Sequence, residues 1–442
     1  MTADPDPVVA GPSSSTGPSR PEGLVLQPFR ALRYTVPDSD LALVTSPPYD
    51  VVDDAGVAAL EELSPSNVVR LILPRVSPTS QDRYAAAAAT LAGWREQGVL
   101  ALDAEPALYV YEQADPQGGP AQRGLLGALA LTPAEDGVVL PHEDTMKGPV
   151  ADRLALYTAV RADLEPIFLV YDGGGAASRA VAEVEGRPPL VDALLPDGLR
   201  HRLWALTDPG QLAEVAADLL PRTAVIADGH HRYATYLQRQ TEAHQAGAGA
   251  GPWDLGLTFL VDATAFGPQV HAIHRVVPGV EAGVLAARSA SGAVVHDLDG
   301  NDLESALAAL ASAGGLGPAF LLASGDGGTL RLVTDPDPEQ RDRSLPAERS
   351  PAWRALDVSV LHGYLVPALW GLSDTVETVT YEHDVHAALA AATRTGGTAV
   401  LLNPTPVTAV TEVAGGGERM PRKSTLFTPK PRTGLVVRAY DD

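Results

Sequence analysis

The sequence predicts a mixed α/β protein, with mixed sheets flanked by helices. Three observations lead there. Short apolar runs bounded by Gly, Pro and Asp alternate with amphipathic, often Ala-rich segments. Hairpin-like pairs of runs interrupt that alternation. Neither a fixed repeat nor a sustained heptad is present. With 442 residues, 45% hydrophobic and 20% charged, the chain is long enough for more than one core. The expected division is a disordered Pro/Ser/Gly/Asp-rich tail over 1–23, an N-terminal α/β unit over 24–205 and a second unit over 206–442.

Taken in order, Leu24 to Tyr34 mixes apolar and basic residues as a strand does. Ser46-Pro-Pro-Tyr-Asp follows, where two prolines fix an extended backbone and present Tyr49 and Asp50 rigidly, as substrate contacts or simply as a stiff turn. Val68 to Leu73 reads as a strand and Tyr84 to Gly98 as a helix stopped by glycine. Ala107 to Gln113 and Arg123 to Leu131 read as paired strands around a Gly/Pro turn. A dense polar cluster comes next: His142, Glu143, Asp144, Thr145 and Lys147, ahead of a helix over about 150–161. A histidine with two carboxylates and a lysine suits acid–base chemistry or Mg²⁺, although Asp144 or Thr145 could equally cap the helix.

Pro166 to Tyr171 is a strand ending in the turn Gly173–Gly175, which lacks dinucleotide or phosphate-loop spacing and is assigned no cofactor. His201 to Leu206 is a strand and Pro209 to Leu220 a helix. The apolar run Ala224 to Ala227 then meets Asp228-Gly229-His230-His231-Arg232, with a helix over Tyr233 to His244. A strand that opens a helix in this way leaves first-turn N–H groups facing outward, and they favour an anion such as phosphate. Gly229 permits close approach or positive φ, while the histidines and the arginine donate to phosphate or move protons. A plainer reading makes Asp228 a helix cap.

Leu255 to Asp262 and Val270 to Val277 are strands; on the second, His271 and Arg275 share one face. Helix 302–313, strands 319–323 and 329–333, an exposed loop over 335–351 and a helix from Trp353 to Trp370 follow. Thr398 to Leu402 is a strand, and Gly434 to Tyr440 closes the fold as another. Between them Arg419, Arg422, Lys423, Lys430 and Arg432 fall close together with Ser424 and Thr425, against a net charge of −23. That is the chemistry of a phosphate clamp, or of a solvated basic tail.

Composition excludes several classes. Cysteine is absent, so disulfides, thiol nucleophiles and Cys-ligated zinc are out. The acidic surface disfavours nucleic acid. No apolar run reaches about 18 residues and no signal peptide is visible, so the expectation is a cytoplasmic protein without a membrane partner.

Five motifs occur in order: Phe29-Arg-Ala-Leu-Arg-Tyr, Pro47-Pro-Tyr-Asp-Val, Pro141-His-Glu-Asp-Thr, Ala227-Asp-Gly-His-His-Arg and Met420-Pro-Arg-Lys-Ser-Thr-Leu-Phe-Thr-Pro-Lys. Together they resemble the family known as domain of unknown function 1015, over nearly everything after residue 24. Thr428 departs from that pattern, which has an aromatic there. More distantly, Asp228-Gly-His-His-Arg is similar to the phosphate loop of ParB/sulfiredoxin-like proteins, which include free-serine kinases. That resemblance implies a ParB/sulfiredoxin-like core and a nucleotide-dependent phosphotransferase acting on a small-metabolite hydroxyl, free serine among the candidates, with ATP or ADP and Mg²⁺. It implies phosphate contacts from Gly229, His230, His231 and Arg232, with Asp228 orienting the loop or the metal. His142, Glu143, Asp144 and His230 are then the catalytic candidates, and Lys423, Ser424, Thr425 and Lys430 a second phosphate-binding set. Asp228 and Glu143 are the metal candidates. A ParB-like nucleotide-binding regulator and a metal-dependent phosphatase or hydrolase are the alternatives.

Overall fold

The computed structural model describes residues 23–76, 81–298, 302–324 and 328–441. All but the last residue of the tail expected over 1–23 lies outside them. A nine-stranded mixed sheet dominates. Its spatial order is Val139–Leu140, Ala224–Asp228, Ile167–Tyr171, Leu255–Asp262, Gln122–Ala130, Leu108–Ala114, Arg200–Leu206 and Val191–Leu194, with Leu26–Gln27 paired to the end of Gln122–Ala130. Two pairs are parallel: Val139–Leu140 with Ala224–Asp228, and Ile167–Tyr171 with Leu255–Asp262. The run Ile167–Tyr171 is buried along its whole length, as a strand covered on both faces must be. The sheet takes strands from both sides of position 205.

Helices Lys147–Val160 and His230–Gln245 pack against each other, Tyr157 meeting Tyr236 with ring centroids 5.4 Å apart. A second, six-stranded sheet is antiparallel and ordered Val294–Asp297, Arg331–Thr334, Phe320–Ser324, Thr398–Leu402, His274–Val277 and Thr380–Glu382. Gln269–His271 and Leu426–Thr428 form a separate two-stranded ribbon. No helix among the described residues is long and apolar enough to cross a membrane.

Several local expectations are overturned. Val68 to Leu73 is not a strand: Val69–Ile72 is a short helix. Asn67 accepts from the Val69 N–H and donates to the Leu43 and Thr45 carbonyls, so a side chain starts the turn. A six-residue run that is apolar except for Arg70 is too short for its period to warn of it. Residues 270–277 split into two strands that pair with different partners. The loop expected over 335–351 contains helix Pro338–Ser344, capped by Asp337 and opened by Pro338. The helix expected over 353–370 breaks at Leu356, which is extended, and finishes as the π-helix Leu361–Leu369 around Pro367. A proline without an N–H forces such a rearrangement of the ladder. The closing segment is not one continuous strand: Val437 bridges Leu32, and Arg438–Ala439 pairs with Ala162–Asp163.

At Gly124 the central strand tolerates no side chain, because a Cβ would lie 2.4 Å from the Leu260 carbonyl oxygen. Backbone cannot rotate away as a side chain can. Gly124→Ala should therefore destabilise the protein by about 1–3 kcal/mol, read as a lower urea midpoint at unchanged slope.

Candidate functional site

The strand Ala224–Asp228 delivers Asp228 to the mouth of helix His230–Gln245 through Gly229, whose φ of +97° lies where only glycine is comfortable. The first helical bond runs from the Tyr233 N–H to the Gly229 carbonyl, which leaves the N–H groups of His230, His231 and Arg232 outside the ladder. Asp228 does not cap the helix. It pairs with Arg232 Nη2 at 2.6 Å and Lys430 Nζ at 2.7 Å. Arg232 is 2% exposed, donates also to the Pro166 carbonyl and sits beside Gly229, where a Cβ would come within 3.2 Å of the guanidinium. Burial pulls the Arg232 pKa down, but Asp228 and Glu165 outweigh it and the net shift is upward.

Asp50 meets Lys430 from the other side. Burial raises the Asp50 pKa and the Lys430 and Arg232 charges more than reverse it, so its carboxylate is held below the usual range. Lys430 is held above its own range in the same way, since Asp228 and Asp50 overcome its burial. Tyr49 donates its N–H to Glu165 Oε1 at 3.0 Å and offers its ring to Arg153 at 4.5 Å and Arg232 at 5.9 Å.

The parallel pairing of Val139–Leu140 with the site strand sets His142 beside His230, their rings edge to face at 4.6 Å. The His142 N–H donates to His230 Nε2 at 3.2 Å, which assigns the His230 proton to Nδ1, 4.0 Å from Glu143 Oε2. His142 Nε2 meets the Thr425 hydroxyl at 3.0 Å. His231 Nε2 accepts from the Met146 N–H at 3.0 Å. Burial pulls His142 down to about 4 and His230 well below its ordinary value, so both are neutral at pH 7. Burial pushes Glu143 upward, and the nearby Lys423 charge only partly opposes it.

Tyr49, Asp50, His142, Glu143, Asp228, Gly229, His230, His231, Arg232, Lys423, Thr425 and Lys430 thus gather from four distant segments. Others do not join them. Asp144 caps nothing: helix Lys147–Val160 starts after Met146 without a side-chain cap, and Asp144 is exposed with Arg419 at 3.8 Å. Ser424 turns its hydroxyl to the Pro421 carbonyl within its own loop. Arg432 is buried against Thr45. As for Asp228 and Glu143 as metal ligands, among the described residues no group of three or more His, Asp or Glu side chains could hold an ion.

Sequence reasoning missed Glu165 and Arg153. Glu165 is fully buried, and burial raises its pKa against the opposing pull of Arg232 and Arg153. A charged residue two positions ahead of the apolar run Ile167–Tyr171 was the available signal.

The family described as "Protein of unknown function (DUF1015)" matches residues 26–359. The chain belongs to the DUF1015 family. The Met420–Lys430 motif falls beyond the matched span, although it stands with the family motifs in space. No curated protein matches. Among solved structures, a mutant free serine kinase in complex with ADP is 13% identical, covering 67% of this chain and 88% of its own, with a TM-score of 0.32. A conserved hypothetical protein from Pyrococcus furiosus is 14% identical, with 69% and 93% covered and a TM-score of 0.31. SbnI from Staphylococcus aureus, truncated at its C-terminus, is 11% identical, with 71% and 87% covered and a TM-score of 0.33.

The buried neutral His142 makes the DUF1015 protein acid-sensitive in a defined window. With a folded pKa near 4 against an unfolded value near 6.5, the unfolded chain binds the extra proton between those limits, so stability falls as pH drops through them. His142→Gln should flatten that slope by up to about 1.4 kcal/mol per pH unit, measured by urea unfolding at pH 4.5, 5.5 and 7.5.

Proposed function

We propose that this DUF1015 protein is a nucleotide-dependent phosphotransferase that acts on the hydroxyl of a small metabolite. The observation that carries the reading is the meeting of three parts at the N-terminus of helix His230–Gln245. They are N–H groups outside the helix ladder, the cations Lys423 and Lys430, and the carboxyl of Glu143 beside neutral His230. Phosphoryl transfer is mainly a matter of positioning and charge neutralisation, and these are the groups it needs.

In this reading the phosphates of ATP or ADP lie against the first-turn N–H groups, with Lys430 held in place by Asp50 and Asp228. Arg232 lies under Gly229 and keeps the turn rigid rather than touching the phosphate. Glu143 takes the proton as the acceptor oxygen bonds to the terminal phosphorus and the bond from that phosphorus to the leaving nucleotide breaks. The His230 Nδ1–H stabilises the Glu143 carboxylate before that transfer. Mg²⁺ bound to the nucleotide would spread the charge on its phosphate oxygens. Tyr49 and Asp50, fixed by Pro47 and Pro48, border the acceptor side.

ATP, ADP, CTP and GTP with Mg²⁺ should be compared by thermal shift. A nucleotide at 100 times its Kd should stabilise the wild type by about 2.7 kcal/mol, and Lys430→Gln should lose most of that gain. Arg232 is the poorer choice: it is almost wholly buried, and removing one member of a buried ion pair costs about 3–5 kcal/mol of stability by itself. Lys430 is partly exposed, and glutamine at its position keeps N–H donors for the two aspartates. Glu143→Gln should keep the nucleotide shift and lose about 10²–10⁴-fold in turnover of hydroxyl acceptors, followed by ³¹P NMR. Activity should fall as pH drops through the raised Glu143 pKa, because the base must be ionised. Absence of any nucleotide shift overturns the proposal. Tight binding without a phosphorylated product indicates a ParB-like regulator instead.

A further inference from the structure

Arg275 sits in the second sheet at 1% exposure, and no carboxylate touches it among the described residues. Burial drags its pKa down to about 10. A guanidinium in such a place is costly unless its donors are used for something specific. Its Nη1 donates to the Ile273 carbonyl. Its Nη2 reaches across to the basic loop and donates to the Lys423 carbonyl at 2.9 Å and the Arg422 carbonyl at 3.4 Å. Its Nε donates to His362 Nε2 at 3.0 Å, which leaves the His362 Nδ1–H for Asp374 at 2.8 Å. Tyr381 covers the guanidinium face at 5.0 Å.

Lys423 itself has a φ of +56°, a left-handed conformation that a lysine adopts only when something holds it there. The carbonyls on either side of that strained residue are the two that Arg275 binds. From this position the Lys423 charge reaches Glu143.

We propose that Arg275, braced by His362 and Asp374, is the positioning residue that holds Lys423 over the candidate site, so that the second sheet sets the phosphate affinity of the first. This rests on the phosphotransferase reading for what Lys423 does, but not for what holds it.

The test uses the full chain and two readouts. Hydrogen exchange followed by mass spectrometry compares wild type with Arg275→Leu, His362→Leu and His362→Gln. Exchange over 421–426 should rise about tenfold in both leucine variants, while Gln122–Ala130 stays protected. His362→Gln, which keeps an acceptor for Arg275, should restore protection. ATP·Mg²⁺ affinity is then measured for Arg275→Leu, Lys423→Gly and the double variant. Glycine suits the positive φ, so Lys423→Gly removes the charge without straining the loop. Each single variant should raise the Kd by a similar factor, and the double should be no worse than either. Unchanged exchange over 421–426, or losses that add, would overturn the positioning role. If Arg275→Leu fails to fold, the two His362 variants decide the same question. A wild type without ATP affinity refutes the nucleotide reading, and with it the phosphate role given to Lys423, whereas the exchange comparison fails or succeeds on its own.

Discussion

Asp228 is where the structure is tied together. One carboxylate, at the end of a buried strand, accepts from Arg232 on the helix that follows and from Lys430 near the C-terminus, while Lys430 also reaches Asp50. Arg232 in particular is not tolerable alone at its depth, because an uncompensated buried ion costs several kcal/mol. The same necessity spreads inward. Arg232 and Arg153 flank Glu165, and Glu165 is held by the Tyr49 N–H and the Thr433 hydroxyl. The Pro47–Pro48 turn, the site helix and the closing segment must therefore arrive together or leave charges stranded.

The site divides its charges by depth. The histidines that face each other, His142 and His230, are buried and neutral, and so can accept and donate without bringing further positive charge. The cations Lys423 and Lys430 come from a single loop, Lys423 exposed and Lys430 paired with Asp50 and Asp228. Glu143 is partly exposed beside them, yet shielded enough for its carboxyl to be raised. A proton acceptor placed beside a phosphate-sized concentration of positive charge is what a hydroxyl phosphotransferase requires.

What the sequence made legible was local chemistry. Asp228-Gly-His-His-Arg announced a strand-to-helix turn because glycine, the apolar run and the polar start lie within a few residues of each other. The mixed α/β class and the hairpin around Gly118–Pro120 followed from the same kind of signal. The convergence of Asp50, Glu143, Asp228 and Lys430 was not readable, since it depends on pairings between residues up to 380 positions apart. Glu165 and Arg153 were hidden for a related reason: a buried charge gives no periodic sign, and only its partners reveal it. Where the reading failed, at Val68–Leu73 and at 270–277, a short local pattern admitted two structures, and an Asn67 side chain or a change of partner strand decided between them.

The basic segment shows how tertiary contacts change the meaning of a composition. As a run of charges in an acidic chain it could have been a solvated tail. Instead it is fastened at each end and in the middle. Thr405 donates to the Ser424 carbonyl, Gln122 and Gln113 donate to the Pro429 and Lys430 carbonyls, Arg432 binds Thr45, and Arg438 pairs with the buried Asp163. The contacts at Ser424, Pro429 and Lys430 fall on backbone carbonyls, not on the cations themselves. Lys423 and Lys430 are thus held by their main chain: among the described residues the Lys423 ammonium has no ion-pair partner, and Lys430 pairs with the two aspartates at the helix mouth. A loop fixed in this way presents its charge without having to order itself when a ligand arrives, and the conformational cost of binding is met during folding.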